Sequence, residues 1–336
     1  MDVSHFSFII PVFNRPDEID ELLASFTQLN TDKSFEIVIV EDGSTIKAES
    51  IINNYKKDLN ISYYFKENSG PGNSRNYGMK KAKGNYFIIL DSDCVLPSEY
   101  LNEVLKFLKQ SYVDCFGGPD AAHESFSNLQ KAINFSMTSF ITTGGIRGRK
   151  SSIDKFQPRS FNMGISKQAF EASQGFGNIH PGEDPDLSIR LNKLGYKTAL
   201  ISKAHVYHKR RISWFKFYKQ VYKFGLTRPI LNHWYPETQK VTYWFPTLFS
   251  LGLIASIILF VSGFKYAIIL YGFYFALSFI LSVFTTKSLI IGVQALVAIC
   301  VQFFGYGYGF LKSTLSLRFS KKRVEQQFPH LFFKSN

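Results

Sequence analysis

Four short apolar runs alternate with polar, helix-forming segments over roughly the first quarter of the chain. The runs are rich in Ile, Val, Phe and Tyr, and they predict strands at residues 6–13, 35–40, 61–65 and 86–90. The intervening polar segments have helical spacing and predict helices at residues 17–29, 46–59 and 72–83. Strands that alternate with helices predict right-handed βαβ units and a mostly parallel sheet with helices on both faces. Ligands bind such sheets at the carboxyl ends of the strands.

The next hundred or so residues continue this pattern less regularly. We expect helices at 98–109, 128–141 and 184–194, a short strand near Cys115 and a further strand at 161–165. Residues 142–159 are rich in Gly and basic side chains and show no periodicity, which predicts a mobile loop.

The pattern changes near residue 240. From Val241 to Leu311 the only charged residues are Lys265 and Lys287. Three apolar stretches, at 243–264, 266–286 and 288–311, are each long enough to cross a hydrocarbon core of about 30 Å. Three full crossings would place the basic tail opposite the α/β domain, against the positive-inside preference. One stretch is therefore re-entrant or interfacial, or the tail is an exception; three crossings are the favoured interpretation.

The segment just before the apolar stretches interleaves aromatic residues with lysines. Residues 212–231 are interpreted as an amphipathic helix lying in the membrane interface, with an ordinary surface helix as the alternative. The predicted division is an α/β domain, an interface helix with linker, membrane helices and a basic tail, at 1–211, 212–242, 243–311 and 312–336.

The net charge of +13 suits either a nucleic-acid binder or a protein on an anionic membrane. Basic residues cluster immediately before and after the apolar region, which favours membrane lipids and argues against nucleic acid. Three cysteines provide neither a disulfide framework nor a CxxC metal site. The first residues do not resemble a signal peptide. We therefore expect a multi-pass protein of the inner cell membrane, with the α/β domain in the cytoplasm.

Asp91 and Asp93 directly follow the most apolar predicted strand, 86–90. Residues two apart in extended chain point the same way. Two carboxylates at the binding edge of a sheet can hold a hard divalent cation, which in turn neutralises a diphosphate. The alternative is a solvated turn.

Two further acidic pairs occupy comparable positions. Glu41 and Asp42 follow the strand at 35–40, where a carboxylate can accept hydrogen bonds from a base or a ribose; the alternative is a plain strand-to-helix turn. Glu183 and Asp184 open a predicted helix, as capping residues often do. A carboxylate there would also suit a proton acceptor near a substrate hydroxyl.

With these motifs, the chain resembles the family 2 glycosyltransferases of the GT-A fold. The resemblance rests on five ordered segments, FIIPVFN at 8–14, VEDGS at 40–44, NSGPGNSRNYG at 68–78, AKGNYFIILDSD at 82–93 and GEDPDLSIRL at 182–191. Together they extend over about residues 6–210. The resemblance implies an inverting transfer of one sugar from a nucleotide-diphospho-sugar to an acceptor, and we expect a lipid-linked glycan acceptor in cell-surface polysaccharide or glycolipid synthesis.

The resemblance also implies residue roles. On the donor side, Pro11 and Asp42 would line the base and ribose pocket, Arg75 would lie near the donor, and Asp91 would contact the ribose or sugar. Asp93 would ligate Mg²⁺ or Mn²⁺ on the diphosphate.

On the acceptor side, Asp184 would be the general base, and Glu183 is grouped with the substrate-binding residues. His208 would lie near the metal or diphosphate, with a structural histidine as the alternative. Arg210 and Arg211 would hold phosphate oxygens. The basic residues of the loop would close over the diphosphate, recruit an anionic acceptor or simply be solvated; they are Arg147, Arg149, Lys150, Lys155 and Arg159.

Other functions remain in competition. Processive members of the family carry a Gln-x-x-Arg-Trp motif that is not found here, which favours transfer of a single sugar. Transfer to a polyprenyl phosphate is one alternative, and a non-catalytic nucleotide-sugar sensor or membrane scaffold is another. A nicotinamide-dependent oxidoreductase is disfavoured because Gly70-Pro-Gly72 lacks the third glycine of the dinucleotide motif and follows the third strand.

Overall fold

The computed structural model describes residues 5–121, 126–144, 156–208 and 213–333. These residues form two compact units. The first contains residues 5–121, 156–208 and 332–333, and the second contains 126–144 and 213–331. The units therefore divide the chain differently from the predicted boundaries, because 126–144 joins the apolar helices and Phe332–Phe333 joins the α/β unit.

The first unit is built on a seven-stranded sheet. In spatial order its strands are β3 (Ile61–Lys66), β2 (Phe35–Asp42), β1 (Phe6–Val12), β4 (Tyr86–Leu90), β8 (Asn162–Ser166), β6 (Cys115–Gly117) and β9 (Thr198–Leu200). Among the described strands of this sheet, β8 alone runs antiparallel to its neighbours. The expected mostly parallel sheet is confirmed.

Helices cover both faces of this sheet. The helices of the unit are α1 (Pro16–Thr27), α2 (Glu49–Tyr55), α3 (Pro71–Lys81), α4 (Tyr100–Gln110), α7 (Lys167–Ser173) and α8 (Glu183–Lys193). Side chains of β1 alternate between the faces, so that Phe8 and Ile10 pack with α1 and α4 whereas Ile9 packs with α3 and α8. Because both faces are covered, the strands are apolar at almost every position.

A second sheet of the described residues has three strands, and the first of them follows β4 closely in the chain. Its order is β5 (Cys94–Val95), β10 (Val206–His208) and β7 (Asp120–Ala121). Strands of two or three residues are too short to produce a periodic pattern, so the sequence did not predict this sheet. Its first strand begins immediately after Asp93.

The second unit is helical. It contains α5 (Asn128–Thr138), α6 (Phe140–Thr143), α9 (Trp214–Trp234), α10 (Phe245–Val261), α11 (Tyr266–Thr286), α12 (Leu289–Phe319) and α13 (Val324–Gln327). Ala132 and Phe135 of α5 pack among buried residues of α12, which explains why this segment leaves the α/β unit. Three helices, α10 to α12, are long and apolar enough to cross a membrane.

Candidate active site

Three parallel strands bring predicted site residues to one edge of the large sheet. β1 lies between β2 and β4, and its Pro11 is level with Val40 of β2. The same register places Asp91, the first residue after β4, at this level. Asp42 ends β2 slightly beyond it. Pro11, Asp42 and Asp91 therefore meet at the carboxyl edge, as strand order and direction require.

The turns after β1 and β2 are joined by Asn14, whose role the sequence did not reveal. Its side-chain oxygen accepts hydrogen bonds from the backbone nitrogens of Thr45 and Ile46, at 2.8 and 3.0 Å. Its φ of 54° lies in the left-handed region that asparagine tolerates better than most residues. An asparagine directly after a strand is the sequence signal that could have indicated this link.

The carboxylate of Asp42 is buried and organises the start of α3. It accepts hydrogen bonds from the backbone nitrogens of Ser69 and Gly70, both at 2.9 Å, and forms an ion pair with Lys66. The sequence did not identify Lys66 or Ser69 as partners. In this state Asp42 positions the backbone that borders the site, and its predicted contact with a base or ribose remains a prediction.

Arg75 joins the strand edge to the start of α8. Its Nη2 lies 2.7 Å from Oδ1 of Asp91, and its Nη1 lies 2.9 Å from Oε1 of Glu183. The guanidinium also lies over the ring of Phe176. Because Arg75 is only 3 % exposed, these ion pairs are strongly constrained in geometry. Residues 16 and 108 positions away from Arg75 in the chain thus meet at one side chain.

Glu183 has several partners at the start of α8. It accepts a hydrogen bond from the backbone nitrogen of Gly182 at 3.0 Å, and His180 Nδ1 lies 3.2 Å from both of its oxygens. Burial alone would raise the pKa of Glu183, but His180 and Arg75 outweigh burial and lower the pKa to about 2. Glu183 is therefore a permanent anion at neutral pH.

Asp184 differs from its neighbour. Burial raises the pKa of Asp184, the charge of Glu183 acts in the same direction, and Arg159 and Arg75 oppose the shift. A carboxylate with a raised pKa is the stronger proton acceptor. Two adjacent carboxylates whose pKa values are shifted in opposite directions are typical of an acid–base site.

The next acidic residue of the helix, Asp186, has a different role. Its Oδ2 lies 2.7 Å from Nη2 of Arg190, one turn further along α8. This pair lies within a single helix and fastens its first turn. Asp186 thus pairs with Arg190 of its own helix, whereas Glu183 pairs with Arg75.

A divalent cation fits the oxygen atoms at the end of β4. Asp91 and Asp93 supply carboxylates there, and one oxygen of Asp93 is buried. Over the described residues there is no cluster of three His, Cys, Asp or Glu side chains that would hold a metal alone. Mg²⁺-type ions commonly bind through one or two carboxylates plus substrate phosphates, so this donor set suits a cation shared with a diphosphate.

The backbone also places His208 near this point. β10 pairs antiparallel with β5, and His208 is opposite Cys94, the residue that follows Asp93. Arg210 and Arg211 lie outside the described residues, as do Arg147, Arg149, Lys150 and Lys155 of the basic loop. Arg159 is described, and its electrostatic effect on Asp184 places one basic residue of that loop at the site.

Comparisons with known proteins agree with this geometry. The model of glycosyl transferase family 2 matches residues 7–172. An uncharacterized glycosyltransferase of Rickettsia felis is 40 % identical over 105 residues, which are 31 % of this chain and 17 % of the relative. The poly(ribitol-phosphate) beta-N-acetylglucosaminyltransferase TarS of Staphylococcus aureus is 34 % identical over 112 residues, which are 32 % of this chain and 20 % of that protein. This chain thus matches a fifth or less of the length of each of these two relatives.

A solved structure extends the likeness of fold beyond these segments. The mannosyltransferase PcManGT of Pyrobaculum calidifontis, in complex with GDP-Man and Mn²⁺, superposes with a TM-score of 0.56 at 15 % identity. The superposition covers 89 % of this chain and 86 % of that protein. At this identity the match supports the fold only, and it agrees with the expected GT-A architecture.

Proposed function

Because this chain carries a family 2 glycosyltransferase domain at residues 7–172, we propose that it is a membrane-anchored, inverting glycosyltransferase. It moves one sugar from a nucleotide-diphospho-sugar to a hydroxyl group of a lipid-linked glycan acceptor. The product belongs to cell-surface polysaccharide or glycolipid synthesis. TarS and a glucosyltransferase of Bacillus spizizenii are named as acting on poly(ribitol-phosphate), a polymer with free hydroxyl groups, which supports a hydroxyl acceptor.

One observation carries the proposal. Arg75 contacts both Asp91, at the end of β4, and Glu183, the neighbour of Asp184. The segment suited to a diphosphate and the segment suited to proton transfer are therefore parts of one site. A chain that only bound nucleotide-sugars would not need a basic carboxylate beside the binding segment.

The proposed reaction is a single displacement at the anomeric carbon. Asp184 accepts the proton of the acceptor hydroxyl as its oxygen attacks from the face opposite the departing diphosphate, so the configuration inverts. Arg75 holds Asp91 and Glu183 in fixed orientation, and the basic Arg159 lies close enough to affect Asp184. Mg²⁺ or Mn²⁺ held by Asp93, with His208 as a second ligand, would neutralise the departing nucleoside diphosphate. In this proposal Pro11 and Asp42 would border the donor base, and Arg210 and Arg211 would hold the donor phosphates.

The environment of Asp184 favours a hydroxyl acceptor over a polyprenyl phosphate. A phosphate acceptor is already anionic, so it needs no strong base. A raised pKa at Asp184 suits the removal of a proton from a hydroxyl group. We therefore prefer the hydroxyl acceptor among the two enzymatic alternatives.

The helical unit supplies the anchor in this proposal. Three helices meet the length and apolarity needed to cross a membrane. The surrounding basic residues favour the cytoplasmic face of the inner membrane for the α/β unit.

Asp184→Asn tests the catalytic step. We expect transfer to fall by about a hundredfold or more, the range of a lost general base, while donor affinity stays within about twofold. Radiolabelled sugar transfer and calorimetric binding of UDP-, GDP- and CMP-sugars with Mn²⁺ measure the two quantities. Asp58→Asn, at an exposed position, is the matched control and should change neither.

Two results would contradict the proposal. If Asp184→Asn transfers sugar at the rate of the wild type, Asp184 is not the general base. Absence of binding for every nucleotide-sugar, with the wild-type protein folded, would refute the donor class.

A further inference from the structure

Two residues that follow the long apolar helices belong to the α/β unit. Phe332 forms an antiparallel β-bridge with Ile179, and the backbone nitrogen of Phe333 donates to the carbonyl oxygen of Asn178 at 3.1 Å. The ring of Phe333 covers Gly70 so closely that a Cβ on that glycine would overlap it. The same ring lies 6.0 Å from that of His180, measured between centroids.

This return of the chain restricts how it can cross a membrane. Residues up to His208 and residues Phe332–Phe333 are parts of one folded unit, so they lie on one side of a bilayer. The chain between them must cross an even number of times. Within the part of the chain that the structure describes, three helices are candidates for crossing, so at least one of them does not cross.

The packing of α12 identifies it as that helix. α9 and α12 run side by side in the same direction. A Cβ on Gly225 would overlap the carbonyl oxygen of Tyr306, and a Cβ on Gly309 would overlap that of Tyr222. Such overlaps mean that the two backbones are in direct contact. Lys312 Nζ also donates to the Tyr222 hydroxyl at 3.2 Å.

The partner helix α9 carries charge along this contact. Lys216 and Lys219 are exposed, and Lys223 and Arg228 follow on the next turns. The half of α12 from Ala298 onward packs along a helix that carries several cations, and cations belong in water or among headgroups. Residues 289–297 of α12 precede this contact, and they extend for only about 14 Å, roughly half of a hydrocarbon core.

The hairpin formed by α10 and α11 differs from α12. Its two helices pack on each other, since the rings of Phe249 and Tyr271 lie 4.9 Å apart and Tyr271 donates to the carbonyl oxygen of Phe249. Toward its tip, large apolar side chains are exposed, among them Ile257, Ile258, Phe260, Phe264, Ile269, Leu270 and Phe273. A larger part of α12 is buried than of α10 or α11.

We propose that α10 and α11 cross the bilayer as a hairpin and that α12 lies beside α9 on the side of the α/β unit. This inference rests on the proposed membrane association and is independent of sugar transfer. It removes the conflict in the charge pattern, because the basic residues after α12 then lie on the same side as the α/β unit. They are Arg318, Lys321, Lys322 and Arg323.

Cysteine labelling of the full chain tests the arrangement. The background variant is Cys300→Ser, since the other two cysteines, Cys94 and Cys115, are buried. Exposed lysines are then replaced one at a time. The variants are Lys203→Cys in the α/β unit, Lys265→Cys at the hairpin tip, Lys287→Cys between α11 and α12, and Lys322→Cys after α12. Insertion into preformed liposomes leaves the large α/β unit outside. A membrane-impermeant maleimide is applied before and after the vesicles are opened with detergent.

The outcomes separate the alternatives. We expect Lys203→Cys, Lys287→Cys and Lys322→Cys to react in closed vesicles, and Lys265→Cys to react at least tenfold faster after detergent. Protection of Lys322→Cys together with Lys265→Cys would indicate three crossings and overturn the inference. Reaction of Lys265→Cys in closed vesicles would refute the crossing hairpin. Failure of the protein to float with the vesicles would refute membrane association, and a transfer assay on the same sample shows independently whether the enzyme is active.

Discussion

The large sheet and the α10–α11 hairpin are both rich in Ile, Leu and Phe, yet they place these side chains in opposite environments. Ile9, Ile88 and Ile89 of the sheet have no exposed surface, whereas Ile258 of the hairpin is 61 % exposed. Apolar surface is stable only when it is removed from water, so the hairpin requires a second apolar phase. Apolarity alone therefore does not distinguish a core strand from a membrane helix; the presence of covering helices does.

The two units also differ in how they treat charge. The α/β unit buries Arg75 and Glu183 as partners, and the hairpin avoids charge except at its ends, at Lys265 and Lys287. Buried ionised groups are tolerated where a partner compensates the cost of desolvation. The proposed active site lies in the unit that can position such partners.

The largest expected effect comes from placing the same charge in both regions. Ile89→Asp puts a carboxylate into the covered sheet, where an unpaired buried charge costs more than about 4 kcal/mol, and we expect no cooperative unfolding transition. Ile258→Asp should leave donor binding and the thermal transition of the α/β unit unchanged, yet weaken vesicle flotation, since a charge in the bilayer costs about 3 kcal/mol. Circular dichroism and flotation measure the two effects. If both variants lose the folded state equally, the sheet and the hairpin do not differ in how they tolerate a charge.

The covered sheet and its edge were largely predictable. Strands β1 to β4 could be predicted because runs such as Phe35–Val40 are long enough to show an apolar pattern. The position of Asp91 and Asp93 at the edge of the sheet follows from strand order and direction. The contact between Arg75 and Glu183 was not predictable, because it depends on the loop that precedes α8. The placement of α5 and Phe332 in their units was missed for a similar reason: short amphipathic or aromatic segments do not indicate in sequence which surface they will cover.

A second expected effect concerns the buried charge pair of the α/β unit. The folded-state pKa of Glu183 is about 2, below its unfolded value of about 4.3. Its ionised form therefore contributes stability above about pH 4.3, and this contribution is lost as pH falls toward 2. We expect the free energy of unfolding of the wild type to fall by about 3 kcal/mol as pH falls over that window. The free energy of unfolding of Glu183→Gln should be about 3 kcal/mol lower than that of the wild type at pH 7 and should not show this fall. Urea titrations at several pH values measure both, and an unchanged pH step in Glu183→Gln would show that other carboxylates cause it.

The smallest effect probes whether the chain after the helices belongs to the α/β unit. Gly70→Ala introduces a Cβ at a φ of 90° and against the ring of Phe333, so it is destabilised by backbone strain and by overlap. Removing the ring with Phe333→Ala relieves only the overlap. We therefore expect Gly70→Ala to cost about 1 kcal/mol less in the Phe333→Ala background than in the wild type.

Gly43→Ala is the matched control for this double-mutant cycle. Gly43 also has a positive φ, of 73°, but a Cβ there would meet Asn68 and not Phe333. Its cost should therefore be equal in both backgrounds. Additive costs for Gly70→Ala and Phe333→Ala would mean that Phe333 does not contact Gly70 in solution. Phe333 would then not fix the side of the bilayer on which the chain lies after α12, and only the exposed side chains of α10 and α11 would indicate a crossing hairpin.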